Sequence, residues 1–298
     1  MKRGIHVIAK KIDVDVRDLM NVIDRPETFY RTFPIKRGRK RPRWIHAPNH
    51  LLKDIQRKLL SHFLYQIKPH KAAHGFYPGK SIVSNAKAHC GQNWVYSFDV
   101  KDFFPSTTDK HILSALLKLS CFDRELCLAI VKLCCLAGKL PQGAPTSPHL
   151  ANLAFYECDL QLESIAEENL MNYTRYADDM TFSGEDEIIT LEDQVNKIIK
   201  KHHYELSFQK SKRMGKNHRQ KVTGLIVNKK VLLPRELRRK IRAIKHDVKL
   251  IGLDNAVQKS SLVNSVNELK GYYALEKMLN SEQPVQQESP CRTYTGEL

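Results

Sequence analysis

The chain has 298 residues, 42% of them hydrophobic, so it can bury a sizeable core as one large domain or two to three subdomains, and no added nuclease domain is expected. Its 49 Lys and Arg against 32 Asp and Glu give a formal charge of +17, and no apolar stretch of signal-peptide or membrane-spanning length follows Met1-Lys2-Arg3-Gly4. A soluble protein of the reducing cytoplasm that contacts no membrane is the expectation.

In chain order, the first strong signal is a basic run, 31–43, with seven Lys or Arg and no acid. Leu52, Ile55, Leu59, Phe63 and Ile67 follow at helical spacing and predict an amphipathic helix over 51–67. Gly75-Phe76-Tyr77-Pro78-Gly79-Lys80-Ser81 looks like a P-loop but is one residue short between its first glycine and Gly-Lys, so the ATPase reading fails. Trp94 to Phe98 reads as a strand ending at Asp99, and two helices are expected between Lys110 and Ala137. A helix from about Ser147 to Asn169 starts behind a Pro141-Gln142-Gly143 turn. Tyr173 to Ser183 reads as a hairpin with Asp178 and Asp179 at its tip. A helix over 191–203, a strand over Val222–Val227 and a helix over Pro234–Leu250 complete the pattern, and from about Ser281 a Gln-, Glu- and Pro-rich tail is expected to be disordered.

Two more basic runs, 209–221 with six Lys or Arg and 235–249 with seven against two acids, bring the three runs together to +18. The rest of the chain is therefore close to neutral, as a polyanion-binding protein requires. The seven cysteines show no Cys-x-x-Cys spacing and mostly fall in apolar helical patterns, so they read as buried thiols. His70 and His74 lack a carboxylate at metalloprotease spacing and read as satisfied or exposed histidines. An Asp pair at a hairpin turn is by itself ordinary turn chemistry. Set beside Asp99 at the end of another strand, it becomes a candidate two-metal site, because carboxylates from two strands can hold a pair of hard cations. Strands interleaved with helices and no dinucleotide-binding glycine pattern argue for an α+β palm.

Three blocks in order, Phe98-Asp99 with Phe104-Pro105-Ser106, Leu140 to Pro148, and Tyr176-Ala177-Asp178-Asp179, resemble those of reverse transcriptases. The resemblance runs from Arg43-x-Ile45-x-x-Pro48 through Val222-Thr223-Gly224 into the basic C-terminal helix. It implies a right-hand polymerase with an antiparallel-sheet palm and a helical thumb. The expected division is fingers at 1–93 and 107–138, palm at 94–106 and 139–230, and thumb at 231–280.

The resemblance also implies roles. Asp99 and Asp178 match the aspartates that bridge two Mg2+ ions, with Mn2+ as a substitute; Asp179 and the Val100 carbonyl complete the set, and Asp102 is left a supporting part. Phe104 falls where the family sets an aromatic against the incoming sugar and thereby excludes a 2′-hydroxyl, while Phe103, facing the other way in an extended segment, is expected in the core. Gln142 and Gly143 are expected to open a helix and meet the nucleotide. Arg43 matches the triphosphate-clamping arginine of the fingers, with Lys40 or Arg41 assisting. Lys210, with Lys212 as the alternative, resembles the lysine that protonates departing pyrophosphate.

Asn85-Ala86-Lys87-Ala88-His89 and Val222-Thr223-Gly224 are similar to two elements of bacterial retron reverse transcriptases. That resemblance implies a structured noncoding RNA as template and primer, deoxynucleoside triphosphates as substrates, priming from a guanosine 2′-hydroxyl, and a single-stranded DNA product. Asn85, His89, Val222, Thr223, Gly224, Arg238, Arg239 and Arg242 are the expected RNA-binding residues. A separate effector protein and a part in anti-phage defence are further expectations. The alternatives are an intron-derived or diversity-generating reverse transcriptase, the former expected to carry a longer thumb and a maturase region, and a noncatalytic RNA-binding scaffold or antitoxin.

Overall fold

Two amphipathic helices open the chain, α1 (Lys2–Ile12) and α2 (Val16–Asp24). Ile5, Ile8, Ala9 and Ile12 bury one face of α1, and the Asp15 carboxylate caps α2 by accepting from Arg17 N. The structure is a computed structural model that describes residues 1–38, 40–260 and 263–280. The tail expected from 281 onward lies outside the described residues. Strands β1 (Tyr30–Arg37) and β2 (Lys40–Pro48) form an antiparallel ribbon of their own. Helix α3 (His50–His62), capped by Asn49, ends at Phe63 and gives way to a turn of 3-10 helix over 64–66, so the expected 51–67 helix is shorter than its apolar spacing suggested.

Helix α4 (Ile82–Lys87) starts in a capping box between Ser81 and Ser84. Next come β3 (Trp94–Asp99), the single turn α5 (Phe103–Ser106), α6 (Asp109–Leu119) and α7 (Arg124–Cys134). The expected Ser147–Asn169 helix is two, α8 (Ser147–Ala154) and α9 (Tyr156–Glu168), separated at Phe155, whose ψ of 0° departs from helical geometry. Strands β4 (Asn172–Tyr176) and β5 (Asp179–Gly184) make the expected hairpin, followed by α10 (Leu191–Lys201) and β6 (Lys212–Gly215). The expected Val222–Val227 strand is itself a small hairpin of β7 (Lys221–Val222) and β8 (Leu225–Ile226). Thr223 and Gly224 form its turn, both with positive φ (44° and 89°), the requirement of a two-residue turn matched to strand twist.

One antiparallel sheet, in the order β4-β5-β3-β6, organises this unit. Because facing residues in register share a side, Tyr96, Phe98, Met180 and Phe182 point one way into the apolar core, with Phe98 and Phe182 ring centroids 5.9 Å apart. Ser97, Asp99, Asp179 and Thr181 point the other way. The first compact unit ends at Val231 and a second begins at Leu232. In the second, α11 (Arg235–Ile251), α12 (Leu253–Lys259) and α13 (Val266–Asn280) gather around Ile244, Val263 and Leu269. No described helix is long and apolar enough to cross a membrane.

Candidate active site

The register of β3 against β5 sets Asp99 directly opposite Asp179. Directly opposed residues of an antiparallel pair carry their side chains on one face, about 5 Å apart. Asp178 precedes Asp179 at the hairpin tip, its carbonyl accepting from Val100 N at 3.0 Å, so the ladder continues past the last strand pair and fixes the turn to β3. Burial lifts the Asp99 carboxyl above the ordinary aspartate range, with Lys210 drawing it back and Asp178 adding to the rise. Asp179 is pushed up to about 6, first by burial and then by the charges of Asp178 and Asp99. Lys210 Nζ meets Asp99 Oδ1 at 2.5 Å. Lys212, opposite Ser97, opens β6 on the same face.

Asp99 and Asp179, both lifted by burial and by neighbouring carboxylate charge, are short of positive charge, and the hard oxygen donors that they and Asp178 present suit Mg2+ or Mn2+. The donor set therefore fits a divalent cation, although among the described residues no group of three His, Cys, Asp or Glu side chains is already gathered at ligating geometry.

What holds the turn was not anticipated from sequence. Arg175, fully buried, forms a two-pronged ion pair with fully buried Asp159 of α9, Nε to Oδ1 at 2.8 Å and Nη2 to Oδ2 at 2.6 Å. Its Nη1 donates to the Ala177 carbonyl at 2.9 Å and to Asn152 Oδ1 at 3.0 Å. Burial works against the Arg175 charge, but Asp159 more than restores it and raises the pKa above the ordinary value. Ala177 needs this support, since its φ of 57° is left-handed and unfavourable for a residue with a Cβ. The one signal in the sequence was that Asp159 falls on the same helical stripe as Phe155, Leu162 and Ala166.

The nucleotide-side residues lie in the same unit. Phe103 is buried, as expected, and Phe104 is half-buried, but they sit on the helical turn α5 and not in an extended segment. Gln142 and Gly143 correct the expectation of a helix start, because α8 begins only at Ser147 and the two residues form a tight turn before it. That turn is docked on β2. His46 N donates to the Gln142 carbonyl at 2.7 Å, and a Cβ on Gly143, whose φ is 124°, would stand 3.0 Å from the His46 carbonyl and from Ile45 Cγ2. Arg43 is exposed two residues along β2 from Ile45 and hence on the face that meets Gly143. The Lys40 and Arg41 side chains lie outside the described residues.

The expected RNA-contacting set needs correction. Asn85 and His89 are fully buried. His89 bridges the Ser183 and Thr174 hydroxyls, each at 2.7 Å, and Thr174 donates to Asn85 Oδ1 at 2.7 Å. Both residues are thus closed off from direct contact with RNA, and so is Val222, which is 2% exposed. Thr223 and Gly224 remain accessible at the hairpin turn, where Thr223 Oγ1 donates to the Ile82 carbonyl of α4 at 3.1 Å. In the second unit Arg239 and Arg242 are exposed on α11, and Arg238 is half-buried.

The sequence profile of the family described as "Reverse transcriptase (RNA-dependent DNA polymerase)" matches residues 35–227. The retron Ec86 reverse transcriptase of Escherichia coli is 32% identical over 82% of this chain and 78% of its own length. Two enzymes of Myxococcus xanthus, the retron Mx65 and retron Mx162 reverse transcriptases, are 31% and 34% identical over 85% and 73% of this chain, which spans 62% and 52% of their lengths. An Asp99–Asp178–Asp179 centre on an antiparallel sheet, the family profile across it and this kinship agree: the chain belongs to the reverse transcriptases, RNA-directed DNA polymerases, and among them to the retron enzymes.

Proposed function

We propose that this enzyme copies part of a structured noncoding RNA into single-stranded DNA, primed from a guanosine 2′-hydroxyl of that RNA, with Asp99, Asp178 and Asp179 as the catalytic carboxylates. The observation that carries the reading is the cross-strand register that brings Asp99 and Asp179 together beside Asp178. These three, with the Val100 carbonyl, would hold two Mg2+ ions. Such ions, when bound, lower the pKa of an attacking hydroxyl and neutralise charge on the phosphoryl oxygens. Lys210, already against Asp99, supplies the proton that departing pyrophosphate takes up. Arg43 and the Gln142-Gly143 turn bind the deoxynucleoside triphosphate, and Phe104 rejects a ribose.

Thr223, Gly224 and the basic face of α11 read the RNA. The retron kinship supports extending the proposal to anti-phage defence with a separate effector protein. Changing Asp178 and Asp179 together to Asn removes charge at nearly constant volume. The double variant should fold and bind RNA as the parent does while losing at least ~3 kcal/mol of transition-state stabilisation, more than about a hundredfold in rate. Retained primer extension with Mg2+ would refute the site. Sequencing of copurified nucleic acid tests the product, a branched RNA–DNA molecule being the expected result.

A further inference from the structure

Phe76 has the left-handed φ of 62°, a costly conformation for a bulky residue, yet its side chain is left 43% exposed. Burial therefore does not offset the strain. The segment before it is fixed on both sides. Arg175 N donates to the Ala72 carbonyl and His74 N to the Arg175 carbonyl, each at 2.7 Å, so Ala73 forms a single parallel bridge with Arg175 at the edge of β4. Asn152 Nδ2 holds the Gly75 carbonyl at 2.8 Å, and any Cβ at Gly75 would fall 2.8 Å from Ala177 N. Phe76 is thus delivered from the edge of the catalytic turn itself.

Its ring lies 6.1 Å from Tyr176 and 6.2 Å from Phe104. Phe104 in turn has buried Phe103 at 5.7 Å. The Phe104 ring is flanked by a core ring and by Phe76, and without Phe76 it would lose the neighbour on its less buried flank. We propose that Phe76 is a specificity-determining residue: it holds the Phe104 ring where that ring meets the 2′ position of the incoming sugar. The proposal rests on the reading of Phe104 as the sugar-excluding residue.

The test is single-nucleotide extension of a DNA primer on an RNA template, comparing kcat/KM for dCTP and CTP. Phe76→Gly removes the ring and suits the left-handed backbone, so the variant should unfold at the parent's temperature or above. Its ribo-to-deoxy ratio should rise about tenfold, whereas Phe76→Tyr, which keeps the ring, should leave the ratio at the parent value. Phe104→Ala should relax selectivity at least as far, and the double variant no further, since both act through one ring. If Phe104→Ala relaxes selectivity while Phe76→Gly slows both nucleotides equally, Phe76 is only structural and the proposal falls, with the Phe104 reading intact. An unchanged ratio in Phe104→Ala overturns that reading and the role of Phe76 with it.

Discussion

A charge sealed inside a protein is stable only with its partner, and Arg175 and Asp159 are each other's, both fully buried. Replacing Arg175 by Met strands the Asp159 carboxylate and releases the Ala177 carbonyl. A loss of about 3–5 kcal/mol is expected, read as a lower denaturant midpoint at constant slope. Asp159→Asn should also be costly, because it leaves the buried Arg175 guanidinium, which cannot shed its proton, without a counter-charge even though Arg175 keeps its bonds to Asn152 and Ala177. Arg175→Met combined with Asp159→Leu should cost less than the two single losses added together, and strict additivity would show that the two charges are not coupled. The carboxylates were conspicuous in the sequence because the expected metal chemistry would limit which residue types can serve it. Arg175 was not, since its partner lies 16 residues away on another element and only folding brings the two together.

At the scale of elements, periodicity located α6, α7, α10, α11 and the β4–β5 hairpin, whose apolar spacing and turn residues agree. It overran at Phe63 and Phe155, where tertiary packing interrupts a continuous apolar stripe, and it saw one strand at 222–227 where two residues of positive φ fold the chain back. Helix α4 shows why a short motif can mislead. Asn85 and His89 resemble a recognition element, but they join α4 to β4 and β5, and α4 in turn receives Thr223. The motif is the seat of the accessible turn and not the contact.

This seat is sensitive to acid. Burial pulls His89 down to about 3, with His74 adding to the shift, and pulls His74, which bonds Ser84 of α4, down to about 4 with help from Lys80. Both fold neutral, whereas the unfolded chain takes up their protons near pH 6.5. Their stabilisation is therefore full above pH 6.5 and is lost as pH falls from 6.5 towards 4 and 3. Each histidine contributes a slope of up to about 1.4 kcal/mol per pH unit. His89→Asn should be less stable than the parent at pH 7 and lose less on acidification to pH 4.5. Parallel curves of unfolding free energy against pH would show that His89 is not the group responsible.

Over the whole molecule, the charge of +17 is concentrated in three runs, which the structure distributes to the β1–β2 ribbon, to β6 with the segment after it, and to α11. Structured RNA is bound largely through shape, phosphates and 2′-hydroxyls, so under the proposed function these runs would supply affinity without reading bases. If α11 serves selection of the cognate RNA as proposed, its loss should separate two activities. Replacing exposed Arg239 and Arg242 by Gln, and leaving half-buried Arg238 in place, should weaken RNA binding and reduce the slope of log affinity against log salt by about one per lost phosphate contact. The proposed catalytic carboxylates belong to the other compact unit, so extension of an annealed generic primer-template should survive better than self-primed synthesis on the cognate RNA. The deciding quantity is the ratio of variant to parent activity on the two substrates. Equal ratios would reduce α11 to a general grip on nucleic acid and leave the Thr223-Gly224 turn to account for recognition.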